Sequence, residues 1–581
     1  MGTSDRRPYL IATSMDQTLL DLCQDNLTNK IEMIATIYSI GSPAIDIYLS
    51  DRAKYAGVDY YEARTKFPSV ERTLGDWLSN TLEFSTLEIL VNNSDGKFNE
   101  YLPGSTKYNG FIGRRIVVWV GIAEIASSYI PIFGGKVTDV SGFKRDTSSF
   151  SLNCRSDFEQ VNKTIPFETL TTTDWPYLEE EMIGLSVPII YGNWTTGLRP
   201  EAPEVPAFPV NGLDPLVNSS LEPPDPNVGD TAVRCVISSI PIKSIDTASV
   251  VLYRGNVYYP IPSGSISIVP LSDNQIIDIA QKGFSIDGNP WIYATGDEFW
   301  LKCIGVDLSG YDDNIVWQAK DIMKRFGGLI DGNFDATWAT FRDKASPSEN
   351  AIANIKSRVW QQEARQVIEY TLSLLEQVRL EMFINRDGYF SISSLHLDDL
   401  DPNPSFQIRN WDIVKGSFKP STDERNIFNR ARADFAYSPV NSQNRYTSPM
   451  FRNQASINQI GREISKLITF PNLYILADVE AQIKEILKLS AYVENIDIKL
   501  TSRSFLLELG QDVSFNINIG SVIFQNDLEP VTGKIRMLRY EPEGMSITAK
   551  IWCFQMLPFP GSEKLLISGI TGGSTATITQ E

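Results

Sequence analysis

The chain has 581 residues, of which 42% are hydrophobic and 21% are charged, and its formal net charge is -19. This length predicts roughly four domains, and this composition predicts a folded chain and not a disordered one. No run of eighteen apolar residues occurs, and the N-terminus lacks the apolar core of a signal sequence, so we expect neither a membrane span nor secretion. The negative net charge also disfavours a nucleic-acid-binding surface, because such binding depends on lysine and arginine side chains that displace counterions from phosphates.

A β-rich module is predicted near the start of the chain, behind an N-terminal arm of residues 1–28. Residues 29–165 are predicted to form a first β-barrel, because apolar and polar residues alternate in segments bounded by turn-forming residues. The sequence Asn-Ser-Asp-Gly at Asn93 to Gly96 indicates a hairpin turn, since these residues tolerate the positive φ angles of tight turns. The predicted strands of this module are Ile31 to Ile40, Ala44 to Leu49, Thr81 to Asn92, Gly113 to Trp119, Gly135 to Val140 and Phe150 to Leu152.

Residues 166–232 are predicted to form a proline-rich connector. Pro, Asn, Asp and Glu dominate this stretch, as in Pro200 to Pro206 and Pro223 to Pro226. This composition is typical of an extended segment that crosses a surface. The triple acid Glu179 to Glu181 is interpreted as a solvated charge run, which is far more common than a metal or acid-base cluster.

Residues 233–309 are predicted to form a β-rich insertion. Strands are expected at Val233 to Ser238, Ser249 to Tyr253, Ser265 to Val269 and Phe299 to Ile304. Aromatic side chains are dense here, and we interpret them mainly as the core of a small β-domain. A carbohydrate-binding surface is the alternative. The aromatic residues in question are Tyr253, Tyr258, Tyr259, Trp291, Tyr293 and Trp300.

A small α/β domain is predicted for residues 310–401. A helix is expected from Ile315 to Phe326, because its apolar residues fall on one face and a Gly-Gly pair follows as a C-cap. A second helix, Ala364 to Arg379, leads into a predicted hairpin of Glu381 to Asn385 and Tyr389 to Ser393. A helix that feeds a hairpin after a preceding helix is typical of a small α/β unit.

Residues 402–556 are predicted to form a second β-barrel with a preceding helix at Asp478 to Val493, followed by a flexible C-terminal tail of residues 557–581. Gly, Pro and Asp residues separate the β-type segments, as they do in antiparallel sheets. The predicted strands are Ile496 to Leu500, Phe505 to Leu509, Val513 to Ile519, Lys534 to Leu538 and Met545 to Ile551.

The two predicted barrels share an order of motifs. In the first barrel, one strand follows Gly113 and another begins with the Gly-Lys pair at Gly135. In the second barrel, one strand follows Gly510 and another begins with the Gly-Lys pair at Gly533. A further strand follows across a polar hairpin in both. This order predicts one small β-module used twice, with a chance likeness between two ordinary hairpins as the alternative.

No catalytic, cofactor-binding or metal-binding residue is predicted, and no cofactor is expected. The only histidine, His396, lies beside an aspartate-rich segment and is interpreted as a surface residue. One histidine excludes a zinc site with two or more histidine ligands from one chain, and no nucleophile motif accompanies it. No phosphate-binding glycine loop or EF-hand loop occurs. A pair of carboxylates for glycoside hydrolysis stays open, because 71 acidic residues offer many pairs.

The cysteines are widely scattered and never form a CxxC pair. Buried free thiols are therefore expected in preference to disulfides or a metal site. The five cysteines are Cys23, Cys154, Cys235, Cys303 and Cys553.

The order of these parts resembles the baseplate hub, or central tail-tip, proteins of tailed bacteriophages. The likeness covers most of residues 30–555, and each motif is loose. This chain departs from the family pattern in the insertion of residues 233–306 and in the tail after Pro558. The segments that carry the resemblance are Phe111 to Trp119, Pro131 to Val137, Val187 to Gly192, Leu374 to Leu395, Ile427 to Ala433, Ala477 to Leu489 and Leu507 to Val513.

The resemblance implies a mainly β protein with α+β insertions, whose two β-barrel modules, with inserted β-rich and α/β domains, assemble as a ring. It implies a homotrimer whose two barrels per chain match a sixfold tail tube, or distal tail protein, above and a threefold spike, fibre or tail-tip protein below. A tape-measure protein is a further possible partner. The expected place is the virion tail tip, after assembly in the host cytoplasm, and the expected role is structural and not enzymatic.

Two alternatives and one further expectation accompany this resemblance. The alternatives are a carbohydrate-active or cell-wall-degrading tail component, and a glycan-binding or receptor-binding module formed by residues 233–306. In a ring through which DNA passes without specific binding, acidic or uncharged residues should line the channel. Arg114 and Arg115 are adjacent in a predicted strand and must point to opposite faces, so we expect a buried one to find an acidic partner on a neighbouring chain.

Overall fold

The structure is a computed structural model that describes most of the chain between residues 31 and 553 and a short segment near the C-terminus. The predicted arm, residues 1–28, and nearly all of the predicted tail, residues 557–581, lie outside the described residues. The described residues are 31–39, 46–52, 54–56, 59–74, 86–101, 110–122, 129–144, 147–156, 161, 163–166, 168–195, 203–212, 232–270, 274–281, 284–343, 355–396, 399, 401, 404–421, 427–492, 494–501, 504–519, 522–524, 531–541, 546–553 and 578–580.

The first unit is a curled nine-stranded sheet formed by residues 31–156. Its chain segment contains the strands β1 (Ile31–Ile37), β2 (Ile47–Ser50), β3 (Lys54–Ala56), β4 (Asp59–Ala63), β5 (Thr65–Lys66), β6 (Val70–Thr73), β7 (Thr86–Asn92), β8 (Arg115–Ile122), β9 (Ile130–Ser141) and β10 (Ser149–Ser156). The sheet order is β3-β4-β2-β1-β8-β9-β10-β7-β5, which leaves β6 out. In β7 every second side chain is buried, so strict alternation creates one core face.

The predicted insertion is a seven-stranded sheet. The strands of this part of the chain are β11 (Thr164–Ile165), β12 (Ile189–Tyr191), β13 (Val205–Pro209), β14 (Ala232–Ser238), β15 (Ser244–Arg254), β16 (Val257–Pro260), β17 (Ile266–Pro270), β18 (Gln275–Ala280), β19 (Ser285–Ile286), β20 (Asn289–Pro290) and β21 (Glu298–Ile304). The sheet order is β16-β15-β21-β13-β14-β18-β17. The central strand β13 lies in the stretch predicted as a connector, and its residues Val205 and Ala207 are buried in the core of this sheet.

The α/β unit contains two longer helices and a hairpin. Its elements are α1 (Ile315–Gly327), α2 (Thr337–Arg342), β22 (Val359–Gln361), β23 (Arg365–Gln366), α3 (Val367–Glu376), β24 (Leu380–Ile384) and β25 (Phe390–Ser394). The Asn314 side chain caps α1 by accepting from the Trp317 amide, and Gly328 ends the helix with φ of 74°. Helix α3 begins three residues later than predicted, because Arg365 and Gln366 pair with β11.

The last part of the chain forms two sheets and two helices. Its elements are β26 (Phe406–Arg409), β27 (Lys419–Ser421), β28 (Arg430–Ser438), β29 (Gln443–Thr447), β30 (Phe451–Asn453), α4 (Gln454–Ile460), β31 (Ser465–Phe470), α5 (Leu476–Tyr492), β32 (Glu494–Thr501), β33 (Asp512–Ile519), β34 (Val522–Phe524), β35 (Val531–Glu541), β36 (Ser546–Cys553) and β37 (Ile578–Gln580). One sheet has the order β26-β33-β35-β36-β32-β27 and also holds β34 and β6; the other has the order β29-β28-β30-β37 and also holds β31.

Two apolar cores connect these units. One core runs through both curled sheets, from Met33 to Cys553. The second contains α1, α3 and α5 together with the β24-β25 hairpin and β28. The fold is therefore mainly β, with two curled half-barrel sheets and few helices, which confirms the predicted fold class. The predicted domain boundaries remain predictions.

The predicted strand at Phe505 to Leu509 is wrong, because this segment forms turns. Phe505, Leu506 and Leu507 are all buried, so the apolar residues fill the core consecutively instead of alternating. The Leu507 amide donates to the Ser504 carbonyl oxygen at 3.1 Å, as in a tight turn. Among the described residues, no helix is long and apolar enough to cross a membrane.

Candidate functional site

The two curled sheets contain the same four-stranded module. In the first sheet β8, β9, β10 and β7 lie side by side, and in the second β33, β35, β36 and β32 lie in the equivalent order. In each module the earliest strand, β7 or β32, pairs antiparallel with the last, β10 or β36. This shared topology confirms the repeat that the glycine motifs predict.

In both modules an equivalent glycine precedes the second strand, β8 or β33, and makes the same hydrogen bond. The Gly113 amide donates to the Val137 carbonyl oxygen at 2.7 Å, and the Gly510 amide donates to the Ile535 carbonyl oxygen at 2.9 Å. Both glycines have positive φ angles, 84° and 69°, which other residues adopt only at a cost. The two modules therefore agree at the level of single backbone contacts.

A second pair of glycines permits a close approach between neighbouring strands. A Cβ atom on Gly135 would lie 2.2 Å from the Arg155 carbonyl oxygen, and one on Gly533 would lie 2.7 Å from the Trp552 carbonyl oxygen. Both distances are shorter than van der Waals contact, and the acceptors occupy equivalent positions on β10 and β36. The glycine of each Gly-Lys motif is thus required by packing.

The two modules differ at one strand edge. The pairing register shifts at Thr138 of β9 and at Arg536 of β35, which are equivalent positions. Beyond this point β6 pairs with Met537 to Tyr540 of β35 and covers that edge. The equivalent segment of β9, Asp139 to Ser141, pairs with β10 on one side, and no described strand lies on its other side. We call this segment the open edge.

Strand β6 is anchored where it crosses to the second module. The Arg72 Nη2 atom donates to Glu508 Oε1 at 2.6 Å and to the Ile384 carbonyl oxygen at 2.9 Å. Burial alone would lower the pKa of Arg72, but the negative charge of Glu508 raises it overall. The strand is therefore held to both the second curled sheet and the β24-β25 hairpin.

His396 is buried, so the interpretation as a surface residue is wrong. It is only 3% exposed, its Nε2 donates to the Val378 carbonyl oxygen at 3.1 Å, and its Nδ1 lies 3.8 Å from Glu485 Oε2. Lys488 Nζ contacts the other oxygen of Glu485 at 2.7 Å. Burial would raise the pKa of Glu485, but the neighbouring His396 ring and the charge of Lys488 lower it overall. This cluster ties the end of β25 to α5.

The triple acid is divided between core and surface. Glu180 and Glu181 are exposed, as predicted, whereas Glu179 is buried and accepts a hydrogen bond from the Tyr293 hydroxyl at 2.6 Å. Burial, followed by this hydrogen bond, raises the pKa of Tyr293 above its ordinary range. Glu179 therefore joins the segment before β12 to the insertion sheet, and the interpretation as a solvated run is wrong for this residue.

Arg114 and Arg115 point to opposite sides of the sheet, as predicted. Arg115 is exposed, whereas Arg114 is 3% exposed and donates through Nε to the Gly110 carbonyl oxygen at 2.7 Å. The Arg114 guanidinium also lies 5.2 Å from the centre of the Tyr101 ring. Burial lowers the pKa of Arg114, and no described carboxylate forms an ion pair with it.

The aromatic side chains of the insertion are divided between its core and its surface. Trp291 and Tyr293 are buried in its core, as predicted. Tyr253 stacks on Trp300 with ring centres 5.0 Å apart and planes inclined by 22°, and Tyr258 packs against the same indole at 5.4 Å. Trp300 is only 6% exposed, in agreement with its prediction as a core residue, whereas Tyr258 is 46% exposed and presents its ring at the edge of the sheet.

A cleft of 520 Å³ lies between α3, the segment after β22, and β31. Arg358 and Arg379 are only 2% and 4% exposed, although both line the cleft. Arg358 contacts Glu204 at 2.9 Å and lies 4.4 Å from the centre of the Trp194 ring. No sequence motif indicated this cleft, because its walls come from segments that are distant in the chain, among them Trp194 and residues 358–379, 428–442 and 466–472.

The cysteines of the described residues are buried in the core. Cys154, Cys235 and Cys303 are free and buried, which confirms the expectation of buried free thiols for these three; Cys553 is buried, and Cys23 lies outside the described residues. Burial raises the pKa of the Cys235 thiol well above its ordinary value, so this thiol is inert. No group of three or more His, Cys, Asp or Glu residues able to hold a metal ion occurs in the described ranges.

No protein-family profile and no curated protein matches this sequence. Solved structures that are similar to this one include the 43 kDa tail protein of prophage MuSo2 from Shewanella oneidensis. The two sequences are 10% identical, the similarity covers 90% of this chain and 98% of that chain, and the TM-score is 0.38. Prophage tail protein gp18 from Listeria monocytogenes EGD-e is similar at 10% identity, with 63% and 94% coverage and a TM-score of 0.25.

A Francisella PdpA-VgrG complex is similar at 9% identity, with 94% coverage of this chain, 63% of that chain and a TM-score of 0.35. The first two of these structures are described as prophage tail proteins. All three similarities are loose.

Proposed function

We propose that this protein is a non-enzymatic hub of a phage tail tip, in which three copies form a ring around the DNA exit channel. The observation that carries this proposal is the module repeat, in which equivalent glycines make equivalent contacts in both curled sheets. Three chains with two modules each present six similar units on a threefold axis. Such a ring joins a sixfold tube on one side to a threefold spike or fibre on the other.

The open edge of β9 supports a closed ring of identical chains. In the second module the equivalent edge is covered by β6 of the same chain, and Met537 and Tyr540 are buried there. In the first module Thr138, Asp139 and Ser141 are exposed. An unpaired strand edge is a template for another chain, and a second copy of this protein is its partner in the ring.

The other proposed partners follow from this geometry. A tail tube or distal tail protein binds one face of the ring, a spike, fibre or tail-tip protein binds the other, and a tape-measure protein is a further candidate. The proposed location is the virion tail tip, with assembly in the host cytoplasm. These partners require no catalytic residue in this chain.

DNA passes through the proposed ring without specific binding. The net charge of -19 disfavours retention of phosphates, so acidic or uncharged side chains should line the channel. Arg114 is withdrawn from solvent, and an acidic partner on a neighbouring chain would complete its hydrogen bonds. A ring whose channel wall is lined by lysine and arginine would contradict this part of the proposal.

Light scattering after size-exclusion chromatography tests the ring. The full chain should have three times the 65.1 kDa chain mass, and Ser141→Lys should dissociate it, because a lysine on an edge strand opposes pairing. Ser149→Lys is the matched control, since Ser149 is exposed on β10, a strand paired on both sides. A native chain that remains a monomer, or a trimer that Ser141→Lys leaves intact, would contradict the proposal.

A glycan-binding role for residues 233–306 is the second candidate, and the exposed Tyr258 ring favours it. Tyr258 is exposed and packs edge-on against the buried Trp300, on which Tyr253 stacks, and an exposed aromatic ring is the type of surface on which sugar rings pack. Tyr258→Ala should abolish binding in a glycan-array experiment if this role is correct, whereas no glycan binding by the full chain would exclude it. Zymography on cell-wall sugars tests the remaining enzymatic alternative, and a hub leaves those sugars intact.

A further inference from the structure

Arg379 is held in an unfavourable state by the fold. Its φ of 55° is left-handed, a conformation that disfavours residues with a Cβ atom and that glycine or asparagine usually adopts after a helix. Its backbone is nevertheless well held, because its amide donates to the Glu376 carbonyl oxygen at 3.0 Å and its carbonyl accepts from the Leu395 amide at 2.9 Å. The position therefore fixes the direction of the side chain.

The Arg379 guanidinium is also poorly compensated. It is buried, its Nε makes no hydrogen bond with any described residue, and only the charge of Glu376 acts on it favourably. Burial lowers its pKa to about 10. A buried, incompletely paired cation costs free energy, so two separate costs meet at one residue that lines a cleft. Such a combination indicates a binding function.

Positive charge predominates in the cleft although the whole chain is acidic. Arg358 carries two further buried nitrogen atoms, Nε and Nη1, without a hydrogen-bond partner among the described residues. Acidic side chains are fewer than basic ones among the lining residues. The charged lining residues are Arg358, Arg365, Arg379 and Lys466 on the basic side and Glu363 and Glu376 on the acidic side. The cleft thus favours an anionic ligand.

The free edge of β31 forms one wall of the same cleft. Strand β31 pairs with β28, and the Ile464 carbonyl oxygen just before it accepts from the amides of Asn429 and Arg430 on that side. Because backbone groups alternate along a strand, those of Leu467 and Thr469 point away from β28. Both residues are exposed and line the cleft, and no described strand pairs with this side of β31.

We propose that this cleft binds an extended acidic polypeptide segment of a partner protein, which pairs with the edge of β31 and places a carboxylate against Arg379. A carboxylate matches the fork of guanidinium donors. The free backbone groups of β31 select a polypeptide, since a phosphate or a nucleic acid has no matching series of amide and carbonyl groups. Trp360 and Tyr437 supply apolar contacts for the alternate side chains.

Fluorescence anisotropy with a short labelled peptide of alternating valine and glutamate tests this proposal on the full chain. The peptide should bind, and the same peptide with glutamine in place of glutamate should bind about 10- to 100-fold more weakly, as expected for a charge-assisted hydrogen bond. Arg379→Asn should cause a similar loss. This variant should also raise the melting temperature, because asparagine tolerates the left-handed φ and removes the buried cation.

Two further variants separate the contribution of the β31 backbone from effects outside the cleft. Leu467→Pro removes one amide donor from the free edge and should weaken binding, since edge strands tolerate proline. Arg432→Asn is the control, because Arg432 is exposed on β28 and does not line the cleft.

Three results would overturn the proposal. They are no peptide binding up to about 1 mM, equal affinity for the glutamate and glutamine peptides, or binding that Leu467→Pro leaves unchanged while inorganic phosphate competes fully. The last result would mean a site for small oxyanions only. Loss of stability in Arg379→Asn without loss of binding would assign Arg379 a structural role and also refute the proposal.

Discussion

The Gly135→Ala substitution tests whether the glycine of the Gly-Lys motif is required by strand packing. The new Cβ atom would lie 2.2 Å from the Arg155 carbonyl oxygen and 2.9 Å from the Phe133 ring, so β9 and β10 must separate by about 1 Å to restore van der Waals contact. Overpacking of this kind costs about 3 kcal/mol, and the reduced flexibility of the unfolded chain returns about 0.4–1 kcal/mol. The net loss in the free energy of unfolding should be about 2 kcal/mol.

Differential scanning calorimetry on the full chain measures this loss. A net change of about 2 kcal/mol should lower the melting temperature of the first module by about 4–8 °C. Gly134→Ala is the matched control, because Gly134 is the adjacent residue of the same strand and a Cβ there has no atom within 4 Å. If the two variants melt together, the close approach is not what requires glycine, and the structural argument for the repeat loses its basis.

Two further predictions concern buried charges of the second module and the α/β unit. Glu381→Gln should lower the free energy of unfolding by about 3 kcal/mol in urea titration, because it leaves the buried Arg536 guanidinium without its carboxylate; an unchanged midpoint would contradict this. Glu485 has a lowered pKa in the fold, owing to His396 and Lys488 despite burial, so its stabilisation is present above the ordinary glutamate pKa and is lost as pH falls. Glu485→Gln should therefore flatten the decline in melting temperature between about pH 5 and pH 3, and parallel curves would refute this.

The module repeat could be predicted because its glycines are required locally. Gly113 and Gly510 need a positive φ, and Gly135 and Gly533 need the absence of a Cβ atom, so their spacing remains in both copies. The crossing of β6 into the second sheet could not be predicted in this way. No strand is predicted at Val70 to Thr73, and local alternation does not identify which distant strand a short segment pairs with.

The errors at single residues have a common cause. His396 and Glu179 lie in acidic local sequences that are typical of surfaces, yet each is buried by a partner far away in the chain, Glu485 and Tyr293. The same limit applies to Arg379, whose carbonyl oxygen accepts a hydrogen bond from the distant Leu395 amide and whose side chain lines a cleft together with residues of β31. The local sequence predicts a helix or strand from the spacing of its apolar residues, whereas the burial of a polar side chain depends on tertiary contacts.

Cryo-electron microscopy of the purified full chain tests the central claim most directly. The proposed function predicts a closed ring of three chains in which a strand of a neighbouring copy pairs with Asp139 to Ser141 of β9, as β6 pairs with the equivalent segment of β35. The six modules should then be related by a pseudo-sixfold arrangement. A monomer, or a ring in which this segment of β9 faces solvent in every chain, would contradict the claim.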